Sequence, residues 1–410
     1  MPRLGSGLLP RAARLFPAAI ILGLAACATP PAATTPALQP AAALVQTPAP
    51  PATASAAPPA PAGPPSPAPT VVIPALEDPA TRAQVDQLAS WFLGQGRDSA
   101  LSVGIVVRDP RGGQLKAMLL NYGTSARDNG QPVTSRTLYE IGSITKVFTG
   151  ILLGEALDSG SMRLGDPIQP YLPEGIQAPA YAEAPITLLD LATHRSGLPR
   201  DLDSDDIRAM YAWLNGLHLS RLPGSAYSYS NAGYSLLGDI LARQAHSDYA
   251  TLEYDSLSQP LGLPDTAESL DAAQAARLAQ GYTYDGSPAA YFPQSGAMSG
   301  AGYLHSTLAD MTRFLVENMQ PGTTPLGAPL ELAQGLQASG RNPGSGVGLG
   351  WEIDRLGASG ERLYKGGATR GFTSYISFSR DRRAGFVLLA NGMYVENLVA
   401  HMLHILQMDR

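Results

Sequence analysis

Two residues spaced three apart have the types needed for a nucleophile and its base. Ser143 and Lys146 lie near the start of residues 141–160, IGSITKVFTGILLGEALDSG. Apolar residues surround nearly the whole stretch up to its final glycine, which predicts a central, buried helix. Positions i and i+3 share a helix face, so the Lys146 amine can reach the Ser143 hydroxyl. A lysine held neutral by burial can take the proton of a serine, and we therefore predict nucleophilic catalysis.

The scarcity of lysine strengthens this prediction. The chain has 28 lysines and arginines in total, and only Lys116, Lys146 and Lys365 are lysines. Arginine keeps its proton in proteins, whereas a desolvated lysine can lose it and act as a base. A lysine in a chain that otherwise uses arginine is therefore informative. The alternative for Lys146 is a solvated lysine on an amphipathic helix.

A second motif, Tyr229-Ser230-Asn231, follows a glycine-bearing turn and precedes an apolar helical segment near Leu236. Alternate residues of an extended segment point the same way, so a phenol and an amide would face one cleft. Tyr229 would shuttle a proton, and Asn231 would hydrogen-bond a substrate amide. The alternative is that Ser230 or Asn231 caps the helix, with Tyr229 packed beside it.

The third lysine lies where a predicted strand meets a loop, in Lys365-Gly366-Gly367. The two glycines let a substrate approach the backbone, and an edge strand there would offer amide groups to an oxyanion. The alternative is an ordinary surface lysine in a glycine-rich turn. We expect His194 to be a core or loop residue, because nothing in the chain completes a Ser-His-Asp set around it.

The elements that must position these residues follow from periodicity and turn signals. A helix capped by Ser306 or Thr307 together with Asp310 is expected to run to about residue 318. The folded part is expected to begin near Asp78. Further helices are predicted over 81–95, 186–194 and 396–407, a β-hairpin over 101–122 turning at 111–113, and β segments over 346–354, 361–365, 372–378 and 385–390.

The first 27 residues have the pattern of an export signal. Three arginines precede an apolar run over 15–26, which is too short to span a membrane. The run ends in Leu-Ala-Ala-Cys and resembles a bacterial lipobox, in which Cys27 is lipidated and becomes the mature N-terminus. The alternative is cleavage after Ala26, leaving a free thiol. Resemblance to lipoproteins implies a periplasmic protein anchored in the outer membrane of a Gram-negative bacterium, since Ala28 is not the aspartate that retains lipoproteins in the inner membrane.

Residues 28–77 are predicted to be an unfolded tether. They are dominated by Pro, Ala and Thr, have few charges and show no periodic apolar face. At about 3 Å per residue in the polyproline II limit, residues 28–74 of this segment would reach roughly 140 Å. An anchored domain on such a tether could act on a cell-wall polymer away from the membrane.

Composition excludes several function classes. The net charge is −6, and no basic run suggests nucleic acid. The six histidines are scattered without an H-E-x-x-H motif, and the chain has no phosphate-binding loop, so we expect neither a metal nor a cofactor. Cys27 is the only cysteine, so no intrachain disulfide is possible. No feature points to a protein partner.

Taken in order, Ser143-x-x-Lys146, Tyr229-x-Asn231 and Lys365-Gly366-Gly367 resemble the three motifs of the serine β-lactamase and penicillin-binding protein superfamily. The Tyr-x-Asn form resembles the class C β-lactamase branch, and the stretches PITLLDLATHRSGLP, PLGLPDT and GLGW agree. The segment ATHRSGLPRD looks most like AmpH-type D-alanyl-D-alanine carboxypeptidase/endopeptidases. The resemblance covers residues 80–408.

The resemblance implies an α/β (α+β) fold with an antiparallel sheet flanked by helices. One domain would comprise residues 78–160 and 295–410, and residues 161–294 would form a mostly helical insertion. The implied activity is that of a serine hydrolase acting through an acyl-enzyme on D-Ala-D-Ala-type bonds of peptidoglycan or on β-lactams. Alternatives are a class C-like β-lactamase, a family VIII-like esterase and a penicillin-binding sensor that does not turn over.

The resemblance also implies residue roles. Ser143 would be acylated, with Lys146 as base and Tyr229 assisting proton transfer. Asn231 would contact the substrate side chain, and Lys365 would set the electrostatics of the site. The amides of Ser143 and Ala368 would stabilise the oxyanion. The substrate-binding strand and turn would comprise Lys365, Gly366, Gly367, Ala368, Thr369 and Arg370.

One departure from the family motif concerns substrate recognition. Gly366 stands where relatives have a threonine whose hydroxyl helps to bind the substrate carboxylate. Thr369 or Arg370 is expected to take over that contact. Weak carboxylate recognition would instead favour an internal peptide bond or an ester, which keeps the esterase alternative open.

Overall fold

The computed structural model describes residues 73–111, 113–128, 130–355 and 360–409. Cys27, the predicted signal peptide and residues 28–72 of the predicted tether lie outside these ranges. Residues 74–76, at the end of the predicted tether, are hydrogen-bonded to Ala117, so ordered structure begins before Asp78. The described residues belong to one unit of the chain, Pro64–Arg410. None of the helices in the described ranges has the length and hydrophobicity that a membrane span requires. The predicted domain division at residues 160 and 295 stays a prediction.

Side-chain caps mark the start of several helices. Asp78 accepts hydrogen bonds from the amides of Ala80 and Thr81 and so caps the first helix, and Thr307 caps a later one by accepting from Asp310. The helices are α1 Pro79–Leu93, α2 Thr145–Asp158, α3 Leu188–Ala192, α4 Ile207–Asn215, α5 Asn231–Gln244, α6 Tyr249–Glu253, α7 Gln259–Leu261, α8 Ala272–Ala275, α9 Ser299–Gly302, α10 Leu308–Met319, α11 Gly327–Gln334 and α12 Glu396–Ile405. Short 3₁₀ turns lie at Gly142–Ile144, Gln169–Tyr171 and Pro321–Thr323, and a π turn lies at Tyr254–Ser258.

Eight of the strands form one antiparallel sheet, in the order β2-β1-β12-β11-β10-β9-β8-β7. The strands are β1 Ala100–Arg108, β2 Leu115–Gly123, β3 Leu138–Glu140, β4 Ala180–Tyr181, β5 Ala184–Pro185, β6 His305–Thr307, β7 Ala338–Ser339, β8 Gly346–Val347, β9 Glu352–Arg355, β10 Glu361–Ala368, β11 Thr373–Ser379 and β12 Ala384–Ala390. The N-terminal hairpin pairs with the last strand through Leu101 and Ala390, so the sheet is built from both ends of the folded region. The predicted fold class is confirmed.

The sheet is buried on both faces. On one face, α1 and α12 pack through Phe92 and Met402 against Leu101 and Phe386. The other face packs on α10 and the helices beyond it, and Phe314 of α10 stacks on Phe148 of α2 with ring centroids 4.3 Å apart. The consecutive residues from Thr145 to Gly154 of α2 are all buried, which is the central helix that the sequence predicts.

The prediction of one β segment over 346–354 is wrong for the residues in its middle. It divides into β8 and β9, because the chain between them turns and passes beneath α2. Gly350 has φ +84°, and a Cβ there would lie 2.3 Å from the Lys146 carbonyl oxygen. Only glycine allows this close approach, which holds the chain just before β9 against the backbone of Lys146.

A buried carboxyl at the end of α6 makes the stability of the fold depend on pH. Burial is the main reason that the pKa of Glu253 rises to about 8, and nearby Glu268 adds to the effect. Between the ordinary pKa near 4.5 and about 8, the folded chain keeps a proton that the unfolded chain has lost. Stability therefore falls as pH rises through this window.

We expect Glu253→Gln to raise the melting temperature at pH 9 more than at pH 5, because glutamine carries no charge to be desolvated. Thermal unfolding of both proteins at the two pH values measures the effect. The exposed Glu174→Gln change is the matched control and should leave the pH dependence unchanged. A lower melting temperature for Glu253→Gln at pH 9 would contradict the argument.

Candidate active site

The candidate nucleophile lies on a tight turn pressed against β10. Ser143 belongs to the 3₁₀ turn that leads into α2, and its side chain is partly exposed. Gly142 before it has φ +51°, and a Cβ there would lie 2.7 Å from the Ala368 amide nitrogen. The Ile141 carbonyl accepts a hydrogen bond of 2.8 Å from Ser374 Oγ, which fastens the turn to β11. The backbone of the nucleophile turn thus lies directly against the end of β10.

Lys146 points into this turn from the first helical turn of α2 and is fully buried. Its Nζ lies 3.1 Å from Ser143 Oγ, 2.7 Å from Asn231 Oδ1 and 2.6 Å from the Ala301 carbonyl oxygen. Burial lowers the pKa of Lys146 to about 8, with a further contribution from the positive charge of Lys365. The amine is therefore available in its neutral form near neutral pH.

Tyr229 completes the contacts of the Ser143 hydroxyl, donating to its Oγ at 2.7 Å. Burial alone would raise the pKa of Tyr229, but the charges of Lys146 and Lys365 and the hydrogen bond to Ser143 outweigh it and lower the pKa to about 8. The Nζ atoms of both lysines lie close to the ring centroid, at 5.1 Å and 5.0 Å. The phenol is thus placed and tuned to exchange a proton with the nucleophile.

The ring of His194 packs against the ring of Tyr229, with centroids 4.3 Å apart. It is buried, and its Nδ1 accepts a hydrogen bond of 3.1 Å from the Ser230 amide. Burial lowers its pKa well below the ordinary value, and the charges of Lys365 and Lys146 lower it further. His194 is therefore a neutral core residue, in line with the sequence analysis.

Lys365 is also buried and is held by Glu352 at the start of β9, with Nζ 3.0 Å from Oε1. Burial would lower the pKa of Lys365, but the Glu352 carboxylate outweighs it and raises that pKa well above the ordinary value. The same contact lowers the pKa of Glu352 against the opposing effect of burial. The site therefore contains one permanently charged lysine and one lysine that can be neutral.

The edge of β10 beyond Lys365 is open. β11 pairs with one edge of β10 along its whole length to Ala368, but on the other edge β9 pairs only over 361–364, so that edge has no partner strand over 365–368 among the described residues. A Cβ on Gly367 would lie 2.1 Å from the Ile141 carbonyl oxygen, so this glycine permits the contact between the strand and the nucleophile turn. An extended substrate can pair with this edge while its scissile carbonyl faces Ser143.

The whole arrangement is that of an acyl-transfer site, with an alcohol, a neutral amine, a phenol of lowered pKa and a free strand edge. The sequence profile of the Beta-lactamase family matches residues 92–407. The chain belongs to the Beta-lactamase family. The resemblance found in the sequence is thereby confirmed.

Relatives in the Beta-lactamase family cover most of the chain. A beta-lactamase of Pseudomonas fluorescens is 29% identical over 349 residues, which are 76% of this chain and 94% of the relative. A beta-lactamase of Yersinia enterocolitica is 30% identical over 68% of this chain and 80% of the relative. The D-alanyl-D-alanine-carboxypeptidase/endopeptidase AmpH of Escherichia coli is 32% identical over 242 residues, covering 56% of this chain and 60% of AmpH.

Two solved structures share the fold. A beta-lactamase/D-alanine carboxypeptidase from Pseudomonas syringae is 26% identical, with a TM-score of 0.71 over 81% of this chain and 99% of that structure. A class C beta-lactamase mutant has a TM-score of 0.72 at 23% identity, over 82% of this chain and 99% of that structure.

Asn231 of this family member is placed differently from the sequence expectation. It does not lie in an extended loop but is the first residue of α5, because Ser230 caps the helix by accepting from the Gly233 amide. The cap that the sequence offered as an alternative is therefore real. Asn231 Oδ1 contacts Lys146, and its Nδ2 donates to Asp201 Oδ1 at 2.5 Å. Its predicted contact with substrate stays a prediction.

The turn after β10 contains Thr369 and Arg370, the two residues expected to replace the missing threonine hydroxyl. Thr369 is buried, its Oγ1 accepts from the Phe372 amide at 3.2 Å, and its side chain is hydrogen-bonded to Glu140. Arg370 is exposed, with its guanidinium 5.7 Å from the Phe292 ring centroid. The Thr369 hydroxyl thus stabilises its own turn. The predicted substrate contacts of both residues stay predictions.

Sequence reasoning missed two further parts of the site. Glu352 directly follows the GLGW stretch. A single carboxylate belongs to no motif, and its role becomes visible only from its contact with Lys365 in the folded chain. Arg200 and Asp201 follow the SGLP stretch, and the Arg200 guanidinium lies 5.1 Å from the Tyr229 ring centroid. A charged pair in the loop before the Tyr229 motif was the only signal available.

The close approach at Gly142 yields a mutational prediction. We expect Gly142→Ala to lower kcat by about 10²–10³, the loss typical of a disrupted oxyanion site. The added Cβ would meet Ala368 at 2.7 Å and displace the nucleophile turn. Gly160→Ala is the control, because Gly160 also has a positive φ, +73°, but has no atom within 4 Å of its Cβ position. Equal losses in both variants would assign the effect to backbone strain alone.

The lowered pKa of Lys146 predicts the pH profile of acylation. Only the neutral amine accepts a proton, so kcat/KM should rise about tenfold per pH unit and level off above about pH 8. Tyr229 raises the pKa of Lys146 electrostatically, so Tyr229→Phe should move the rising limb to lower pH while reducing the rate. Stopped-flow acylation from pH 5 to 10 measures both. A limb that moves to higher pH would contradict this assignment of the base.

Proposed function

We propose that the protein is a serine hydrolase that cleaves D-Ala-D-Ala-type peptide bonds of peptidoglycan, and β-lactams, through an acyl-enzyme. The observation that carries the proposal is the pair of contacts of Ser143 Oγ, 3.1 Å from Lys146 Nζ and 2.7 Å from the Tyr229 hydroxyl. A nucleophile with a proton acceptor on one side and a proton donor on the other suits amide cleavage, in which the leaving nitrogen must be protonated.

The reaction would proceed in two halves. Neutral Lys146 takes the Ser143 proton as Oγ bonds to the carbonyl carbon, and the carbonyl electrons move to the oxygen. The amides of Ser143 and Ala368 hold the resulting oxyanion. When the carbon–nitrogen bond breaks, Tyr229 passes a proton to the leaving amine and regains one from Lys146. In the second half, water attacks the acyl carbon while Lys146 takes its proton. The bond to Ser143 Oγ then breaks as Oγ receives a proton from Tyr229, which regains one from Lys146, and the acid is released.

Mass spectrometry after exposure to a labelled penicillin tests the nucleophile and the substrate class together. We expect one adduct on Ser143 and none in Ser143→Ala. Incubation with cross-linked muropeptides and with nitrocefin then tests turnover. Failure to cleave either would count against both the peptidase and the β-lactamase. An adduct that persists for hours without turnover would instead identify a penicillin-binding sensor.

Gly366 favours a second candidate, an esterase of the same fold. It lacks the hydroxyl expected at this position, and esters need no carboxylate contact. Fast turnover of short acyl esters without action on muropeptides would distinguish the esterase from the peptidase. Both candidates use the same nucleophile, so only the substrate panel separates them.

We also propose that the protein is a lipoprotein of the outer membrane, acting in the periplasm on a tether that follows Cys27. The lipobox-like sequence before Cys27 supports this proposal. Labelling cells with a fatty-acid analogue should give a membrane-bound, labelled protein that becomes unlabelled in Cys27→Ala. A Cys27→Ala protein that keeps the label would overturn the assignment.

A further inference from the structure

The short helix α9 supplies the backbone acceptor of the catalytic lysine. The Ala301 carbonyl accepts from Lys146 Nζ at 2.6 Å, and the preceding Gly300 carbonyl accepts from Thr149 Oγ1 at 2.7 Å. Two consecutive carbonyls of α9 therefore face α2. A movement of α9 would displace the acceptor of the proposed base.

The position of this acceptor decides where the lone pair of the amine points. A neutral amine has two N–H groups and one lone pair. The N–H groups of Lys146 have acceptors in Asn231 Oδ1 at 2.7 Å and the Ala301 carbonyl oxygen at 2.6 Å. The lone pair is then left for the proton of Ser143 Oγ, 3.1 Å away. The Ala301 carbonyl thus orients the base.

The side chains of α9 give it little means to hold its own position. It consists of Ser299-Gly300-Ala301-Gly302, and Met298 before it makes no capping hydrogen bond through its side chain. So short a helix, half of it glycine, is not stable by itself. Its position must come from neighbouring segments, and the amide of Met298 donates to Asp205 Oδ1 at 3.2 Å.

Glu268 contacts the single polar side chain of α9. The Ser299 hydroxyl is hydrogen-bonded to Glu268 Oε1, and Glu268 is only 3% exposed. The backbone beside Glu268 is itself fixed, because Ala267 and His305 of β6 exchange backbone hydrogen bonds of 2.8 Å and 3.1 Å. Glu268 therefore joins the start of α9 to a fixed part of the fold.

We propose that Glu268 is a positioning residue for the catalytic base: through the Ser299 hydroxyl it fixes α9 and holds the Ala301 carbonyl at Lys146. The inference rests on the proposed function, because it concerns the same base. The contacts themselves exist without substrate, so the placement of Lys146 can be tested apart from the reaction.

The titration of Lys146 tests this placement directly. The chain has three lysines, so NMR of protein made with isotope-labelled lysine follows each of them, and Lys146→Met assigns the signal. A lost acceptor disfavours the ammonium, so Ser299→Ala and Glu268→Leu should each lower the pKa of Lys146 by about one pH unit. Glu268→Gln should leave that pKa near 8, because an amide can both accept from and donate to the Ser299 hydroxyl.

Acylation by a labelled penicillin tests the consequence for catalysis. Above pH 9 or so, where Lys146 is neutral, the acylation rate constant should fall about tenfold in Ser299→Ala and Glu268→Leu, because the lone pair is misaligned. The dissociation constant of the initial noncovalent complex should not change. Ser258→Ala is the matched control, since it removes a serine hydroxyl bonded to another buried glutamate, Glu253, outside α9. It should alter neither the rate constant nor the pKa of Lys146.

The outcomes separate this role from the proposed function. An unchanged Lys146 pKa in Ser299→Ala or in Glu268→Leu would overturn the positioning role, as would unchanged acylation by a variant whose Lys146 pKa has fallen. An equal fall of that pKa in Glu268→Gln or Ser258→Ala would also overturn it, because lost charge or lost stability would then be the cause. The expected pattern of pKa values in a protein that penicillin does not acylate would support the positioning role and reject the proposed function.

Discussion

Lys146→Arg should lower kcat/KM by about 10²–10⁴, the range that a positioned general base contributes. Arginine keeps the positive charge and the capacity to donate hydrogen bonds to Asn231 and Ala301, but it does not lose its proton in proteins. Acylation of Ser143 would then lack a proton acceptor at 3.1 Å from its Oγ. Acylation by a labelled penicillin, followed over time, measures the loss directly.

Two further proteins make this prediction decisive. Lys146→Met removes the amine at similar volume, so it should show a similar loss without forcing a larger guanidinium into a fully buried position. Lys116→Arg makes the same chemical change on β2, where the lysine pairs with Asp109 at 2.8 Å on the surface, and should leave acylation unchanged. Undiminished hydrolysis by a folded Lys146→Arg protein would refute the role of the amine as base.

The sequence predicted those parts of the molecule that depend on local signals. The apolar character of α2 and the cap at Thr307 need only neighbouring residues, and their elements lie within a few residues of the predicted bounds. Ser143 and Lys146 were predicted to meet because helix geometry alone brings positions i and i+3 together. The sequence was sufficient to predict this contact, because it depends on a single helical turn.

The contacts that tune the site depend on tertiary approach and were not predictable in this way. Gly350 at φ +84° lets the backbone pass beneath α2, and this passage brings Glu352 to Lys365. Asn231 contacts Lys146 from the first turn of α5, because Ser230 is the residue that caps this helix. The first outcome was set by a backbone contact between segments far apart in sequence, and the second by a local cap that the sequence offered only as an alternative.

The ion pair between Lys365 and Glu352 leads to the second large effect. Lys365 has a side-chain exposure of 1%, so its charge depends on the carboxylate at 3.0 Å. Glu352→Ala leaves that charge buried and uncompensated, and breaking such a pair costs about 3–5 kcal/mol of unfolding free energy. The pKa of Lys365 would also fall, since burial opposes its charge. We therefore expect both a less stable protein and weaker acylation, measured by urea unfolding and by penicillin labelling.

Neighbouring variants separate stability from chemistry in this prediction. Arg355 on the same strand pairs with Glu361 at 3.2 Å but is 58% exposed, so Arg355→Ala should cost less than about 1 kcal/mol. Replacing both partners, with Lys365→Met and Glu352→Leu, should recover much of the stability because no unpaired charge remains. The double variant should nevertheless acylate slowly, since Tyr229 and Lys146 lose the positive charge that lowers their pKa values. If the double variant recovered both stability and acylation, Lys365 would have no electrostatic role in the reaction.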